Sequence, residues 1–267
     1  MPRLTVSDIA KRKHTTPIVV LTAYTAPVAR ILDKHVDILL VGDSVGMVFY
    51  GMAGTEAVTL DMMIAHGRAV ANASERALVV VDLPRGTYES SPAQALASAR
   101  RVVAETGAQA VKLEGGRDRA EIICHLVQSG IPVMGHVGLM PQRAAEFGGF
   151  KTQGKTPEQA AAILADALAV EEAGAFAMVI EATVEEVARH VTAQLAVPTI
   201  GIGASPACDG QVLVVDDMLG ITARAPKFVK RYAALADVMD QVAAQYAAEV
   251  RSRQFPSSEF VFSGKPK

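Results

Sequence analysis

The chain has 267 residues, 50% hydrophobic and 20% charged, with a formal net charge of −2 and no Trp. This length buries a large core without disulfide or metal staples, and the near-neutral balance supplies no basic field for nucleic acid or an anionic membrane surface. The two cysteines, Cys124 and Cys208, fit no CxxC or His/Cys metal spacing and are expected to be reduced thiols.

The opening stretch, MPRLTVSDIAKRKHTTP, lacks the apolar core of a signal peptide. No apolar run approaches the roughly 20 residues of a membrane span. A cytoplasmic location is therefore expected, with neither a membrane nor a nucleic acid as partner. Short Val/Ile/Leu-rich runs then follow at 18–23, 37–44, 78–84, 109–116, 131–139, 176–182, 197–204 and 211–217. Near-continuous apolar runs of this length suit parallel strands buried on both faces. Between them lie helix-periodic, Ala-rich segments at 60–75, 92–105, 118–129, 157–173 and 184–194. Strand and helix alternating about eight times predicts an α/β fold, a (β/α)8 TIM barrel, with residues 1–267 forming a single domain. A doubly wound open sheet is the main rival, and no GxGxxG follows the first strand to support a dinucleotide site.

Two connections, 45–60 and 137–157, are too long for plain turns. Gly148, Gly149 and Gly154 make the second a candidate lid. A further helix is expected near 233–252, packed on the barrel or on another subunit. The tail beyond it carries Phe255, Phe260 and Phe262, which could dock on either.

Polar residues recur at the strand ends: Asp43 and Ser44, Asp82, Lys112 and Glu114, His136, and Glu181. In a parallel barrel these ends share one rim, where barrel enzymes place their chemistry. Each residue alone has a structural explanation, as a turn former, a helix cap or an ion pair. Polar ends on five successive strands favour a site. Asp43, Asp82 and Glu114 form an all-oxygen set that repels itself unless a cation intervenes, and oxygen ligands favour Mg²⁺ over Zn²⁺. Lys112 is placed to neutralise a developing enolate. Glu181, on another wall, is free to act as a base. A metal, a lysine and a separate base suit proton abstraction next to a carbonyl.

The ordered segments LLVGDSVGMVFYG, VVDLPRGTYE, AVKLEGG, GHVGLMPQ, FGGFKTQGK, PTIGIGA, DGQVLVVDDMLGI and PKFVKRY resemble ketopantoate hydroxymethyltransferases over roughly residues 3 to 262. The resemblance implies a barrel of the phosphoenolpyruvate mutase type and a Mg²⁺-dependent, usually homodecameric enzyme of pantothenate biosynthesis. It implies transfer of a hydroxymethyl group from 5,10-methylenetetrahydrofolate to the 2-oxo acid 3-methyl-2-oxobutanoate, giving 2-dehydropantoate through a Mg-stabilised enolate. By position, Asp43, Asp82 and Glu114 resemble the metal-site carboxylates. Asp43, Ser44, Asp82, Lys112 and His136 match the family's substrate-binding positions, and Glu181, with Lys112, its catalytic ones. The chain departs from the usual pattern at Thr25, Glu56-Ala57, Arg85, Ser205 and Phe260, none of which is a proposed metal ligand or the base. Another Mg²⁺-dependent C–C or P–C bond enzyme of the same superfamily, or a non-catalytic paralogue, remains an alternative.

Overall fold

The structure is a computed structural model describing residues 2–262 and 264; the last residues of the tail considered above lie outside this range. Eight parallel strands close into a barrel in chain order. They are β1 Ile18–Thr22, β2 Ile38–Val41, β3 Leu78–Asp82, β4 Ala110–Lys112, β5 Val133–Gly138, β6 Ala177–Glu181, β7 Thr199–Ile202 and β8 Gly210–Leu213. β8 closes the ring by pairing with β1, Val20 opposite Val212.

Side-chain alternation explains how an apolar barrel comes to carry a charged rim. The interior cluster takes every second residue: Ile18 and Val20, Ile38 and Leu40, Leu78 and Val80, Ala110, Met134, Ala177 and Val179, Ile200 and Ile202, and Val212. Full burial of each large aliphatic side chain contributes about 1.5–3 kcal/mol. Residues two apart on a strand point the same way, so the next interior positions after Val80, Ala110, Met134 and Val179 are Asp82, Lys112, His136 and Glu181. The intervening residues, among them Val79, Val81, Val111, Met178 and Ile180, are buried on the opposite face.

The helices follow the strands. α1 Val6–Ala10 precedes the barrel, and its Ile9 joins the interior cluster. α2 Ala26–Leu32 follows β1; α3 Val45–Val48 and α4 Leu60–Ala73 follow β2; α5 Pro92–Thr106 follows β3. α6 Ala120–Gln128, α7 Pro157–Glu172 and α8 Glu185–Gln194 follow β4, β5 and β6. Start signals in the sequence are used directly. Thr59, Ser91 and Thr156 accept hydrogen bonds from the backbone of Met62, Gln94 and Gln159, satisfying donors that a helix end leaves unpaired. Buried faces follow the helical period, as with Ala95, Ala99, Val102 and Thr106 of α5.

At the N-terminal end of the strands, buried Asp209 accepts from the backbone N–H of His14 at 2.8 Å and of Thr199 at 2.8 Å, and pairs with Lys13 Nζ at 3.0 Å. This ties the segment before β1 to β7 and β8.

The apolar run 211–217 does not continue as strand. β8 ends at Leu213, the Val215 N–H turns aside to the Thr22 hydroxyl at 3.0 Å, and the short helix α9 Val215–Met218 begins. The chain forms two compact units, residues 1–215 and 216–267. In the second, α10 Leu235–Arg251 carries an exposed apolar stripe of Val238, Met239, Val242, Tyr246 and Val250. Within that unit the tail turns back on the helix, with Phe255 against Tyr246 and Phe260 against Phe255.

Candidate active site

The C-terminal rim gathers the charged residues that the sequence placed at strand ends. Asp82 and Lys112 are register partners on β3 and β4, and Lys112 Nζ sits 2.7 Å from Asp82 Oδ1. Asp82 Oδ2 accepts the Asp43 backbone N–H at 3.0 Å. Glu114 lies just past β4, but the ladder to β5 continues there through Leu113 N–H to Met134 O and Gly115 N–H to His136 O. This keeps Glu114 beside His136. His136 Nδ1 is 3.6 Å from Glu114 Oε1, and its Nε2 is 3.3 Å from Glu181 Oε2; neither contact is aligned as a hydrogen bond. Ser44 Oγ lies 2.8 Å from the Tyr24 hydroxyl.

The electrostatics are those of an overcrowded negative cluster. Burial, then the neighbouring Asp82, pushes the Asp43 carboxyl up to about 7, against the pull of Lys112 and Gln142. Burial and then Asp43 raise Glu114 well above the ordinary carboxylate range. Burial alone would lower the Lys112 ammonium, but Asp82, Asp43 and Glu114 outweigh it and hold the pKa above its usual value. Burial lowers the His136 pKa, with Glu181 opposing.

A tight turn presents Glu181. Ala182 adopts φ 42°, and its N–H and C=O are held by Ile202 O at 2.8 Å and Gln153 N–H at 2.8 Å. On the paired strand, Gly138 has φ 90°, and a Cβ there would lie 2.4 Å from Thr183 Oγ1 and 2.5 Å from Glu181 O. Glycine is required at that position.

Two residues of the site were not singled out in the sequence. Gln142 is the second residue of a 3₁₀ helix, Pro141–Phe147, inside the long connection after β5. It is 1% exposed, and its Nε2 donates to Asp43 Oδ2 at 2.8 Å and to Leu83 O at 3.0 Å. Tyr88 donates its hydroxyl to Gln142 Oε1 at 2.7 Å. The segment expected as a lid thus begins by inserting a buried amide among the carboxylates. The one signal was a polar residue directly after a proline where a helix could start, and it does not separate a buried amide from a solvated one.

The departures noted in the sequence find structural places. Arg85 donates to Gln142 O at 2.9 Å and lines a cleft of about 400 Å³ shared with Tyr88, Glu114, Arg119, Arg143 and Glu146. Ser205 donates to Glu185 Oε1 at 2.8 Å. Phe260 is the tail ring packed on Phe255.

The donor set suits a hard divalent cation. All three carboxylates offer only oxygen, and Glu114 Oε1 is buried with no hydrogen-bond partner. Among the described residues, no three His, Cys, Asp or Glu side chains already converge at the spacing of a cation site. Lys112 and Gln142 stand among the carboxylates instead.

In fold, the barrel is similar to 2,3-dimethylmalate lyase, a PEP mutase/isocitrate lyase superfamily member. That structure superposes with a TM-score of 0.58 at 18% identity, covering 99% of this chain and 93% of its own. Phosphonopyruvate hydrolase superposes with a TM-score of 0.63 at 12% identity, covering 98% and 92%. At the level of sequence, the chain belongs to the ketopantoate hydroxymethyltransferase family, which it matches over residues 3–258. It is 59% identical over 263 residues to the 3-methyl-2-oxobutanoate hydroxymethyltransferase of Rhodospirillum rubrum, covering 97% of this chain and 95% of the relative. It is 61% identical over 257 residues to that of Mesorhizobium japonicum, covering 96% and 90%. Among the described residues no helix is long and apolar enough to cross a membrane.

Proposed function

We propose that this chain transfers a hydroxymethyl group from 5,10-methylenetetrahydrofolate to 3-methyl-2-oxobutanoate, giving 2-dehydropantoate. The observation that carries this reading is the pairing of Lys112 with Asp82 beside Asp43 and Glu114, with Glu181 held apart across His136. The arrangement separates a cationic, charge-stabilising wall from a basic one, as deprotonation next to a ketone requires.

Asp43, Asp82 and Glu114 would hold Mg²⁺, which when bound supplies Lewis-acid polarisation of the 2-oxo acid. Ser44, braced by Tyr24, offers a hydroxyl to the acid's carboxylate. Glu181 removes the C3 proton. Lys112, kept protonated by its acidic neighbours, faces the negative charge that develops on the keto oxygen. His136 lies between Glu114 and Glu181 and lines the wall. The methylene carbon gives up both of its C–N bonds to the folate, taking its oxygen from water and its new carbon bond from C3. The balance consumes one water, which supplies the new hydroxyl oxygen. Its two hydrogens restore the N–H groups of tetrahydrofolate, and the C3 proton ends on the hydroxyl.

We also infer a homo-oligomer, a decamer by the family resemblance, with the apolar stripe of α10 available for contacts between copies; light scattering on the purified chain reads its mass. The free thiols Cys124 and Cys208 suit a reducing, cytoplasmic setting.

The test of the activity is proton NMR of the purified protein with Mg²⁺ and 3-methyl-2-oxobutanoate in D₂O, with and without methylenetetrahydrofolate. Deuteration at C3 above the protein-free rate, and product only with the folate, is the expected result. Exchange without product would assign a different electrophile. No exchange from folded, metal-loaded protein would overturn the reading.

A further inference from the structure

We propose that Gln142 is the positioning residue of the carboxylate centre, orienting Asp43 and Glu114 toward the divalent cation and so setting the affinity for it. The inference rests on the cation-site reading above and adds a residue from a segment that contributes none of the candidate ligands.

Gln142 reaches two carboxylates at once. Its side-chain Nε2 holds Asp43 Oδ2 at 2.8 Å, and its backbone N–H holds Glu114 Oε2 at 3.1 Å. Each contact occupies one oxygen and determines which oxygen the carboxylate presents elsewhere; on Glu114 that oxygen is Oε1, buried and without a hydrogen-bond partner.

Gln142 is itself over-determined. The second Nε2 hydrogen goes to Leu83 O at 3.0 Å, Oε1 accepts from the Tyr88 hydroxyl at 2.7 Å, and the backbone carbonyl accepts from Arg85 at 2.9 Å. A side chain tied at every donor has one orientation. The side chain imposes that orientation on Asp43, while the backbone N–H, fixed with it, holds Glu114.

The residue type matters. A lysine or arginine could donate to the same oxygens but would leave the Tyr88 hydroxyl without its acceptor and bring a positive charge that competes with the cation. An amide donates without charge, so it aligns the carboxylates and leaves their net negative charge for the metal. Lys112 already compensates Asp82, and a second cation at position 142 would cancel much of what remains. Hydrogen-bond partners behind metal ligands typically contribute 10–100-fold in affinity.

The experiment is Mn²⁺ binding to the full chain, read without substrate by the loss of the free-ion electron paramagnetic resonance signal, with circular dichroism as the control for folding. Gln142→Leu keeps the approximate volume and removes both side-chain donors. The expected result is a folded protein whose Mn²⁺ dissociation constant is weakened about 10–100-fold. A purely structural role would lower the melting temperature and leave the affinity of the folded protein unchanged. A folded variant within twofold of wild type overturns the proposal. If Gln142→Leu does not fold, Gln142→Met decides, because it keeps an unbranched side chain of similar length and removes the amide that holds Asp43. A several-fold weaker Mn²⁺ affinity is expected there, and wild-type affinity overturns the proposal. Wild-type protein that takes no Mn²⁺ would instead refute the cation-site reading, and this inference with it.

Discussion

Lys112 and Asp82 face each other from register-paired positions on adjacent strands, with the ammonium 2.7 Å from the carboxylate and both side chains buried. Because the pair is buried, removing one partner leaves an uncompensated charge. Lys112→Ala is expected to lower kcat at least 100-fold, through loss of charge stabilisation at the developing oxyanion. It should also cost about 3–5 kcal/mol of stability. Steady-state kinetics and urea unfolding measure the two effects separately.

Glu181→Gln keeps the size and polarity of the side chain and removes its basicity. C3–H exchange of 3-methyl-2-oxobutanoate in D₂O should fall by about 10²–10⁴-fold. Binding of the 2-oxo acid, followed by its protection against thermal unfolding, should change little. Exchange at the wild-type rate would move the base to another residue.

The crowded carboxylates give metal removal a pH signature. A carboxyl whose folded pKa is raised contributes its full stability below the unfolded value near 4 and loses it as pH rises through the folded value. Asp43, pushed up to about 7, and Glu114, also raised, therefore weaken the metal-free protein between acidic and neutral pH. Saturating Mg²⁺ should raise the melting temperature more at about pH 8 than at about pH 5.5, because protons compete for the same oxygens. Equal shifts at both pH values would contradict this.

Asp209 has the opposite sign. Its pKa is lowered: burial opposes, but the N–H groups of Thr199 and His14 and the Lys13 ammonium outweigh it. Its contribution is present above the unfolded value near 4 and is lost as pH falls through the folded value. Asp209→Asn should cost about 2–3 kcal/mol at neutral pH and flatten the acid limb of the stability curve, with kcat retained. Unfolding free energies across the acid range provide the check.

The turn that presents Glu181 gives a matched pair of substitutions. Ala182→Gly relieves a left-handed alanine at φ 42° and should stabilise the protein by about 0.5–1 kcal/mol, the relief of strain being partly offset by glycine's chain entropy. Gly138→Ala drives a methyl into Thr183 Oγ1 and the Glu181 carbonyl. It should destabilise by about 1–3 kcal/mol and lower kcat by displacing the base. Denaturant titration and turnover of the two variants test both directions.

Much of this was legible in the sequence because parallel barrels write their geometry as local pattern. The eight apolar runs became the eight strands in order. The step of two residues from Val80 to Asp82, or from Val179 to Glu181, carried the interior face into the charged rim. Position alone therefore located the strand-end residues. Gln142 escaped because its role comes from a connection that folds inward, and its partners Asp43, Leu83, Tyr88 and Glu114 are 28 to 99 residues away. The short helices α1, α2 and α3 span too few turns to stand out as periodic patterns. The end of β8 was set by the Thr22 hydroxyl capturing the Val215 amide, a contact that no local window contains.

Asp209 holds the barrel together at one end of its strands, while Arg85 and the carboxylates sit at the other. Changes at sites far apart with no shared partners combine nearly additively. Variation at the mouth, such as the arginine at position 85, can therefore accumulate without loosening the ties beneath it. A library randomised at position 85 and at the cleft's outer residues Arg119, Arg143 and Glu146 should stay mostly folded, so selection on it would sort variants by what they accept as substrate rather than by whether they survive.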